Sequence, residues 1–384
     1  MKNSLTIFSL LTFCLAFFVG CGQKPETPPK TETTSASGTQ ASTSSHTPPS
    51  DVLGPFTLSA SEYPSWVPFK VAGRAGLINP EKGGTHGPLE VKWGCDIVVD
   101  YTGYDECLQN YGNGTSDAVC VTNGDALTQV GSRSGCGIMP TSTSNGADAI
   151  MAYGVSEIEG LKGVNVRGLS KSVSEFTFIR VLQKRGLNPA DFDFGHMDPE
   201  AAAIQLQGNT NGSGEVQAAT LWNPFVMQTK ERNSKINLIG DSTEIPEEIV
   251  DMVLVSQDSL NREGGDRFAH LVCDIFYTVS DKLADRSSAE AMRGELGKDF
   301  ANLDAEKMVT ILQQTSFYAT PQDGSKLFNS VGFQDIMSEK GVVPQTYVLM
   351  DQLEESSIPS VSFDGSDADL QFSTDYMEYV KNNR

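Results

Sequence analysis

The chain has 384 residues, with 28 Lys plus Arg against 49 Asp plus Glu and a formal net charge of −21. That balance excludes a nucleic-acid binder, which needs a basic face. The length is more than one comfortable core holds, so two domains are expected in the folded body.

Residues 1–20 read as a signal peptide rather than as fold: Lys2 supplies a positive start, and the apolar run Leu5 to Val19 is too short to span a bilayer comfortably. The run ends in Phe18-Val19-Gly20-Cys21, which resembles a bacterial lipoprotein cleavage site with Phe18 in place of the usual Leu. That resemblance implies lipidation of Cys21 and anchorage to a membrane. From Gln23 to Ser50 the chain is rich in Ser, Thr and Pro and has almost no large apolar residues. It cannot bury enough surface to fold, so residues 21–54 are expected to be a flexible tether. Beyond the signal segment no apolar run reaches transmembrane length. Export implies an oxidising compartment, and Cys95, Cys107, Cys120, Cys136 and Cys273 lie in the body. Their odd number leaves at least one free thiol and admits one or two disulfides that sequence does not pair, and their spacing matches no zinc or redox motif.

Phe56 to Tyr63 alternates as a first strand, Trp66-Val67-Pro68 follows its carboxyl end, and Val71 to Leu77 reads as a short helix. Leu89 to Tyr101 contains a second strand with Asp96–Tyr101 at its centre, and Tyr104 to Tyr111 is a helix closed by Gly112. Ala118 to Thr122 is an apolar strand that delivers Asn123-Gly124-Asp125 to its tip; a Ser/Thr-rich stretch then spans Met139 to Asn145, and Ala147 to Tyr153 is another strand.

Val164 to Leu169 is a strand, and the helix from Glu175 is stopped by Gly186. Ser170, Ser172 and Ser174 thus sit where a strand's carboxyl end meets a helix N-terminus, the place where open α/β sheets bind ligands. Ser172-Val173-Ser174-Glu175 is also a capping box, which by itself accounts for Ser172 and Glu175. Both readings stand. Pro199 to Leu206 is helical, and Val216 to Trp222 is a strand ending in Asn223-Pro224. Ile249 to Ser256 is a strand placed to cross back to the first domain. Asn261 to Ala284 and Ser288 to Gln314 are helical, and Thr346 to Arg384 is an acidic tail with a short helix near Asp375–Val380. The stretches 116–123 and 215–223 resemble each other: each follows a Gly-rich turn and runs small residues into a polar tip, as two similar α/β lobes would.

The ordered tracts Trp66-Val67-Pro68, Cys120-Val121-Thr122-Asn123-Gly124-Asp125-Ala126-Leu127, Asn145-Gly146-Ala147-Asp148-Ala149-Ile150, Leu161-Lys162-Gly163, Ser172-Val173-Ser174 and Trp222-Asn223-Pro224 resemble solute-binding proteins of the nitrate/sulfonate/taurine ABC-importer class. The likeness runs from about Tyr63 to Ser256 and is weak in the last third. The Thr-Asn-x-Asp-Ala-Leu tract resembles the branch associated with urea carboxylase, which implies ligands such as urea or guanidine, although Glu175 stands where that branch more often has His. The resemblance implies an α/β type II periplasmic-binding-protein fold, two α/β lobes joined by two crossing strands. It assigns lobe 1 to residues 55–150 plus 251–345, lobe 2 to 151–250 and the acidic tail to 346–384. It also implies a small-molecule ligand, permease and ATPase partners, a monomer, and no cofactor.

Candidate ligand contacts follow. Trp66 and Trp222, one in each half, offer faces to a planar or cationic solute. Asn123 and Asp125 could accept ligand N–H groups, or Asp125 could merely stabilise the next helix. Ser144, Asn145 and Asp148 approach the first crossing, where Asp148 could instead hold a hinge turn. Ser172, Ser174, Glu175 and Asn223 complete the set, with Asn223 open to a turn role before Pro224. Carboxylates at Asp125, Asp148 and Glu175 would favour a neutral or cationic amine-like ligand over nitrate or sulfonate. The alternatives are an exported enzyme or a ligand sensor on the same fold. Against an enzyme, the chain lacks nucleophile-elbow, HExxH and Walker motifs, and His46, His86, His196 and His270 share no metal-ligand spacing.

Overall fold

The computed structural model describes residues 51–384. The expected signal peptide, Cys21 and most of the tether lie outside the described residues.

Strands β1 (Leu53–Ala60), β2 (Cys95–Tyr101), β3 (Ala118–Thr122) and β4 (Gly135–Ser144) lie in a first sheet, and β5 (Asp148–Tyr153), β6 (Asn165–Gly168), β7 (Asp193–His196), β8 (Ala218–Trp222) and β9 (Ile236–Asp241) form a second. The chain then returns to the first sheet with β10 (Val250–Ser256), β11 (Thr315–Phe317), β12 (Val361–Ser362) and β13 (Leu370–Phe372). The first sheet runs β12-β13-β4-β10-β3-β1-β2 with β11 also on β4, and the second runs β7-β6-β8-β5-β9. The lobes are therefore joined twice, from β4 into β5 and from β9 into β10. β10 lies antiparallel between β3 and β4, pairing Asp251 with Thr122 on one side and with Ser142 on the other. Helices cover both sheets, and this is the two-lobed α/β fold expected.

Local structure departs from expectation where proline, glycine and hydroxyl chemistry outweigh apolar periodicity. Helix α1 spans Val67–Arg74 rather than starting at Val71, because Pro68 sits in its first turn, where its missing N–H costs nothing. Part of the stretch expected to hold only a strand is helix α2 (Pro88–Trp93), opened by Gly87 and Pro88 and closed by Gly94 at φ 63°. Helices α3 (Tyr104–Gly112) and α4 (Asn123–Val130) follow β2 and β3. The Ser/Thr-rich stretch is part of strand β4; its hydroxyls are buried because they bond one another or nearby acids, as in Ser65–Thr141 at 2.9 Å and Ser142–Asp251 at 2.6 Å. Helix α5 (Val173–Lys184) ends before Gly186, which takes φ 71°. The helical stretch from Ser288 breaks at Asn302, in the left-handed region, into two helices.

One expectation is corrected at the C-terminal end, and among the thiols one of the open alternatives is met. Residues 346–384 do not trail as a solvated tail. β13 pairs with β4, the helix Asp375–Asn383 packs on the helix Gly265–Ala284, and Tyr347, Leu370, Phe372, Met377 and Val380 are all buried. The acidic residues of this segment face outward while its aromatic and aliphatic residues close the lobe 1 core. All five body cysteines are free and buried rather than paired. Burial pushes the Cys107 and Cys136 thiols up to about 12, so they are protonated and inert as nucleophiles.

One continuous apolar core fills lobe 1 and takes in Leu169, Val173, Phe176 and Trp222 from lobe 2, while two smaller clusters line the faces of the second sheet. The lobes are therefore packed against each other.

Candidate ligand-binding site

The carboxyl ends of β1, β3 and β8, the start of α5 and the crossing strands converge between the lobes. They enclose about 320 Å³ of empty space, of which the centres of water-sized bodies can occupy about 20 Å³. That admits little more than one water as the lobes stand, so a solute held here has few heavy atoms or spreads the walls slightly. The walls are aromatic: Tyr63, Trp66, Tyr104 and Trp222. Trp66 stacks on Tyr104 with centroids 5.6 Å apart, and Tyr104 meets Trp222 edge-on at 6.3 Å, so the indoles from the two lobes are joined through one tyrosine.

The polar floor comes from the two crossings. Asp148 begins β5 just past the first, and Asp251 lies in β10 just past the second; both line the cavity and both are buried. Burial pushes the Asp148 carboxyl up to about 7, with the Ser144 hydroxyl as its compensating donor. Burial, and then the nearby Asp148, also hold the Asp251 carboxyl well above the usual carboxylate range, against a 2.6 Å hydrogen bond donated by Ser142. No Lys, Arg or His lines this cavity. The Tyr63 hydroxyl and the Trp66 indole N–H are buried without a hydrogen-bond partner. Buried polar groups are normally satisfied, so this wall keeps both hydrogen-bonding and charge capacity for something else. Asp251 and Tyr63 were not foreseen. Asp251 sits in the run IVDMVLVS, where a lone acid amid apolar strand residues was the available signal.

Asp125 plays a different part. Its Oδ2 accepts from the Tyr104 hydroxyl at 2.8 Å and the Ser172 hydroxyl at 2.6 Å, and its Oδ1 accepts from the Tyr347 hydroxyl at 2.6 Å. Ser172 belongs to lobe 2 and the others to lobe 1, so this carboxylate ties the lobes together behind the cavity wall. A Cβ on Gly124 would lie 2.4 Å from the Tyr347 ring, which explains glycine before this aspartate. The expected capping box is not made. Ser172 is the N-cap residue of α5 but gives its hydroxyl to Asp125, and Glu175 accepts the Lys171 N–H at 2.6 Å.

The remaining candidates do not line the cavity. The Asn123 amide is spent on the second crossing, donating to the Glu248 carbonyl and accepting from the Val250 N–H. Ser144 shares a hydrogen bond with Ser242 at 2.7 Å and accepts from the Asp148 N–H. Asn145 is exposed at the hinge. Asn223 donates across the lobes to Gln314 at 2.8 Å. Ser174 is buried with its hydroxyl unpartnered, but away from the cavity lining. Glu175 lies in the first turn of α5, is spent on the Lys171 N–H and does not line the cavity. Trp66, Asp148 and Trp222 are the candidates that line one cavity. Outside Tyr104 and Trp222 an open groove of about 1040 Å³ carries Glu62, Asp105, Asp198 and Glu200.

No protein-family model matches the sequence, and no curated protein matches it. Solved structures do match. The periplasmic aliphatic sulphonate binding protein SsuA from Escherichia coli is 17% identical, covers 77% of this chain and 86% of its own, and gives a TM-score of 0.55. The alkanesulfonate-binding protein SsuA from Xanthomonas axonopodis is 15% identical over 80% of this chain and 97% of that one, with a TM-score of 0.61. The periplasmic nitrate-binding protein NrtA from Synechocystis is 11% identical over 81% and 88%, at 0.55. This chain therefore has the fold of the periplasmic binding proteins, two α/β lobes closed over a shared cavity.

Proposed function

We propose that this protein is the lipid-anchored substrate-binding component of an ABC importer, which captures a small nitrogen-containing solute, cationic or amine-like, between its lobes. The observation that carries this reading is the pair Asp148 and Asp251 facing one enclosed, aromatic-walled cavity that has no basic lining residue. Two buried acids lining one cavity cannot both ionise cheaply unless a cation joins them. The aromatic faces add cation–π attraction. The neighbours named for sulphonate or nitrate share the fold, but an anion in this cavity would find no basic side chain and would keep both acids protonated. Closure around the solute would present a changed surface to a permease. Anchorage rests on the cleavage-site resemblance at Cys21; among the described residues no helix is long and apolar enough to cross a membrane.

Thermal melts and calorimetric titration with guanidinium, methylammonium, urea, taurine and nitrate test the proposal. A rise in Tm with a small cation or amide, and none with nitrate or taurine, is expected. Saturable binding of nitrate or taurine would overturn the ligand class, and binding of none of them would count against the importer role. Mass spectrometry of the membrane-extracted protein should show a chain beginning at an acylated Cys21.

A further inference from the structure

The amino end of β2, on the far side of the first sheet from the solute cavity, holds a second cluster that the sequence did not disclose. His86 lies in the loop before α2, Glu90 lies in α2, and Asp96 is the second residue of β2. His86 Nδ1 is 3.7 Å from Asp96 Oδ1 and 4.0 Å from Glu90 Oε1. These three atoms all lie within 4.8 Å of one another.

The groups are held before any ion arrives. Glu90 is fully buried; its Oε2 accepts the Asn79 and Gly87 N–H groups at 2.6 Å each, and its Oε1 accepts the Ile97 N–H at 3.2 Å. The carboxylate thus closes the loop that carries His86. Asp96 is 9% exposed, and its Oδ1 and the His86 Nδ1 are both buried without a hydrogen-bond partner. Their 3.7 Å separation is too long for a hydrogen bond. A nitrogen and two carboxylate oxygens therefore converge with unspent lone pairs.

We propose that His86, Glu90 and Asp96 bind a divalent transition-metal ion, with zinc the best match. One imidazole and two carboxylates form a donor set zinc accepts, and bonds of about 2.1 Å at tetrahedral angles place ligand atoms about 3.4 Å apart. The two His86 spacings need contract by only about half an ångström. Two carboxylate charges are cancelled by a dication. The His86 side chain is 33% exposed, which leaves the outer side open to a water ligand. The ion would staple the 79–87 loop, α2 and β2 close to where β1 enters the fold, since the Leu53 N–H bonds the Gly94 carbonyl at 3.0 Å. Its role is structural: it is remote from the cavity and independent of what the cavity binds.

The test is calorimetric titration of the full chain with ZnCl2, with elemental analysis after dialysis and melts with and without EDTA. The wild type should hold one zinc per chain, and EDTA should lower its Tm. His86→Ala and Asp96→Asn should each weaken zinc at least about tenfold and abolish the EDTA effect, with far-UV circular dichroism unchanged. His86→Gln serves if the alanine variant misfolds. Zinc affinity unchanged in both variants would place the ion elsewhere, His46 included, and overturn the proposal. So would a wild type that takes up no zinc.

Discussion

Asp125 and the pair Asp148/Asp251 are all buried carboxyls, yet their surroundings oppose one another. Asp125 collects three hydroxyl donors from two lobes. Asp148 and Asp251 share a cavity with one serine donor each, and the nearby Asp148 raises Asp251 further. A buried acid whose lone pairs are filled from within the chain is architecture, and one left facing empty space is available to a ligand. The comparison reverses the weight that sequence put on Asp125, since the motif-bearing aspartate is the latch and the acids on the crossings are the floor of the cavity.

Substitutions should separate the two roles. The largest effect is expected from Asp148→Asn or Asp251→Asn. Removing one acid from a cation-binding pair costs about 3–5 kcal/mol, so affinity for the bound cation should fall by about two to four orders of magnitude in calorimetry. Unchanged affinity for every solute that binds would break the assignment. Asp125→Ala strands three buried hydroxyls and should lower stability by about 3 kcal/mol in urea unfolding, with its effect on ligand affinity arising through the lobes rather than through contact.

The pH dependence sharpens the contrast further. Asp148 is held at about 7 against an ordinary value near 3.8. Its folded-state pKa is raised, so its contribution to stability is present in full below about pH 4 and is lost as pH rises toward 7. Over that window the ligand-free protein should lose up to about 1.4 kcal/mol per pH unit from this group, and Asp148→Asn should flatten the profile. Affinity for a cation should rise across the same window, with a proton released on binding, measurable by titration in buffers of different ionisation enthalpy. An affinity that falls with rising pH would contradict the cation reading.

Smaller still, Ser172→Ala removes one interlobe hydrogen bond to a charged acceptor. It should weaken ligand binding about tenfold by favouring the open form, with a larger radius of gyration in solution scattering. Glu175→Gln should leave affinity within about twofold, because that carboxylate serves the Lys171 N–H, outside the cavity lining, and a change away from the site is worth about 0.5 kcal/mol at most.

Much of the fold was legible in local patterns. β3, α3 and β8 appear close to where the local pattern put them, because each is short and ends at Gly or Asn, and β10 because it is a short continuous apolar run. The carboxyl-terminal part of β4 was obscured because its buried residues are serines and threonines whose satisfaction depends on partners distant in sequence, such as Ser65 and Asp251. α2 was hidden for the opposite reason: six residues are too few to show a helical period, and only Gly87, Pro88 and Glu90 mark it. The indoles Trp66 and Trp222 could be named in advance because each follows a strand end, and strand ends of an α/β lobe face the cleft.

Residue order alone determined the two-lobed α/β architecture, the positions of most strands, and the acidity that disfavours anionic partners. It also listed Asp125, Asp148, Ser172 and Glu175 as chemically able groups. It could not rank them, because a carboxylate's role depends on which donors reach it, and here those donors come from residues 21, 47 and 222 positions away. The tertiary fold decided that Asp125 is spent holding the lobes, that Asp251 joins Asp148 in the cavity, that residues 346–384 seal the first lobe, and that His86 meets Glu90 and Asp96. Each is a matter of distance in space, which a one-dimensional pattern does not encode.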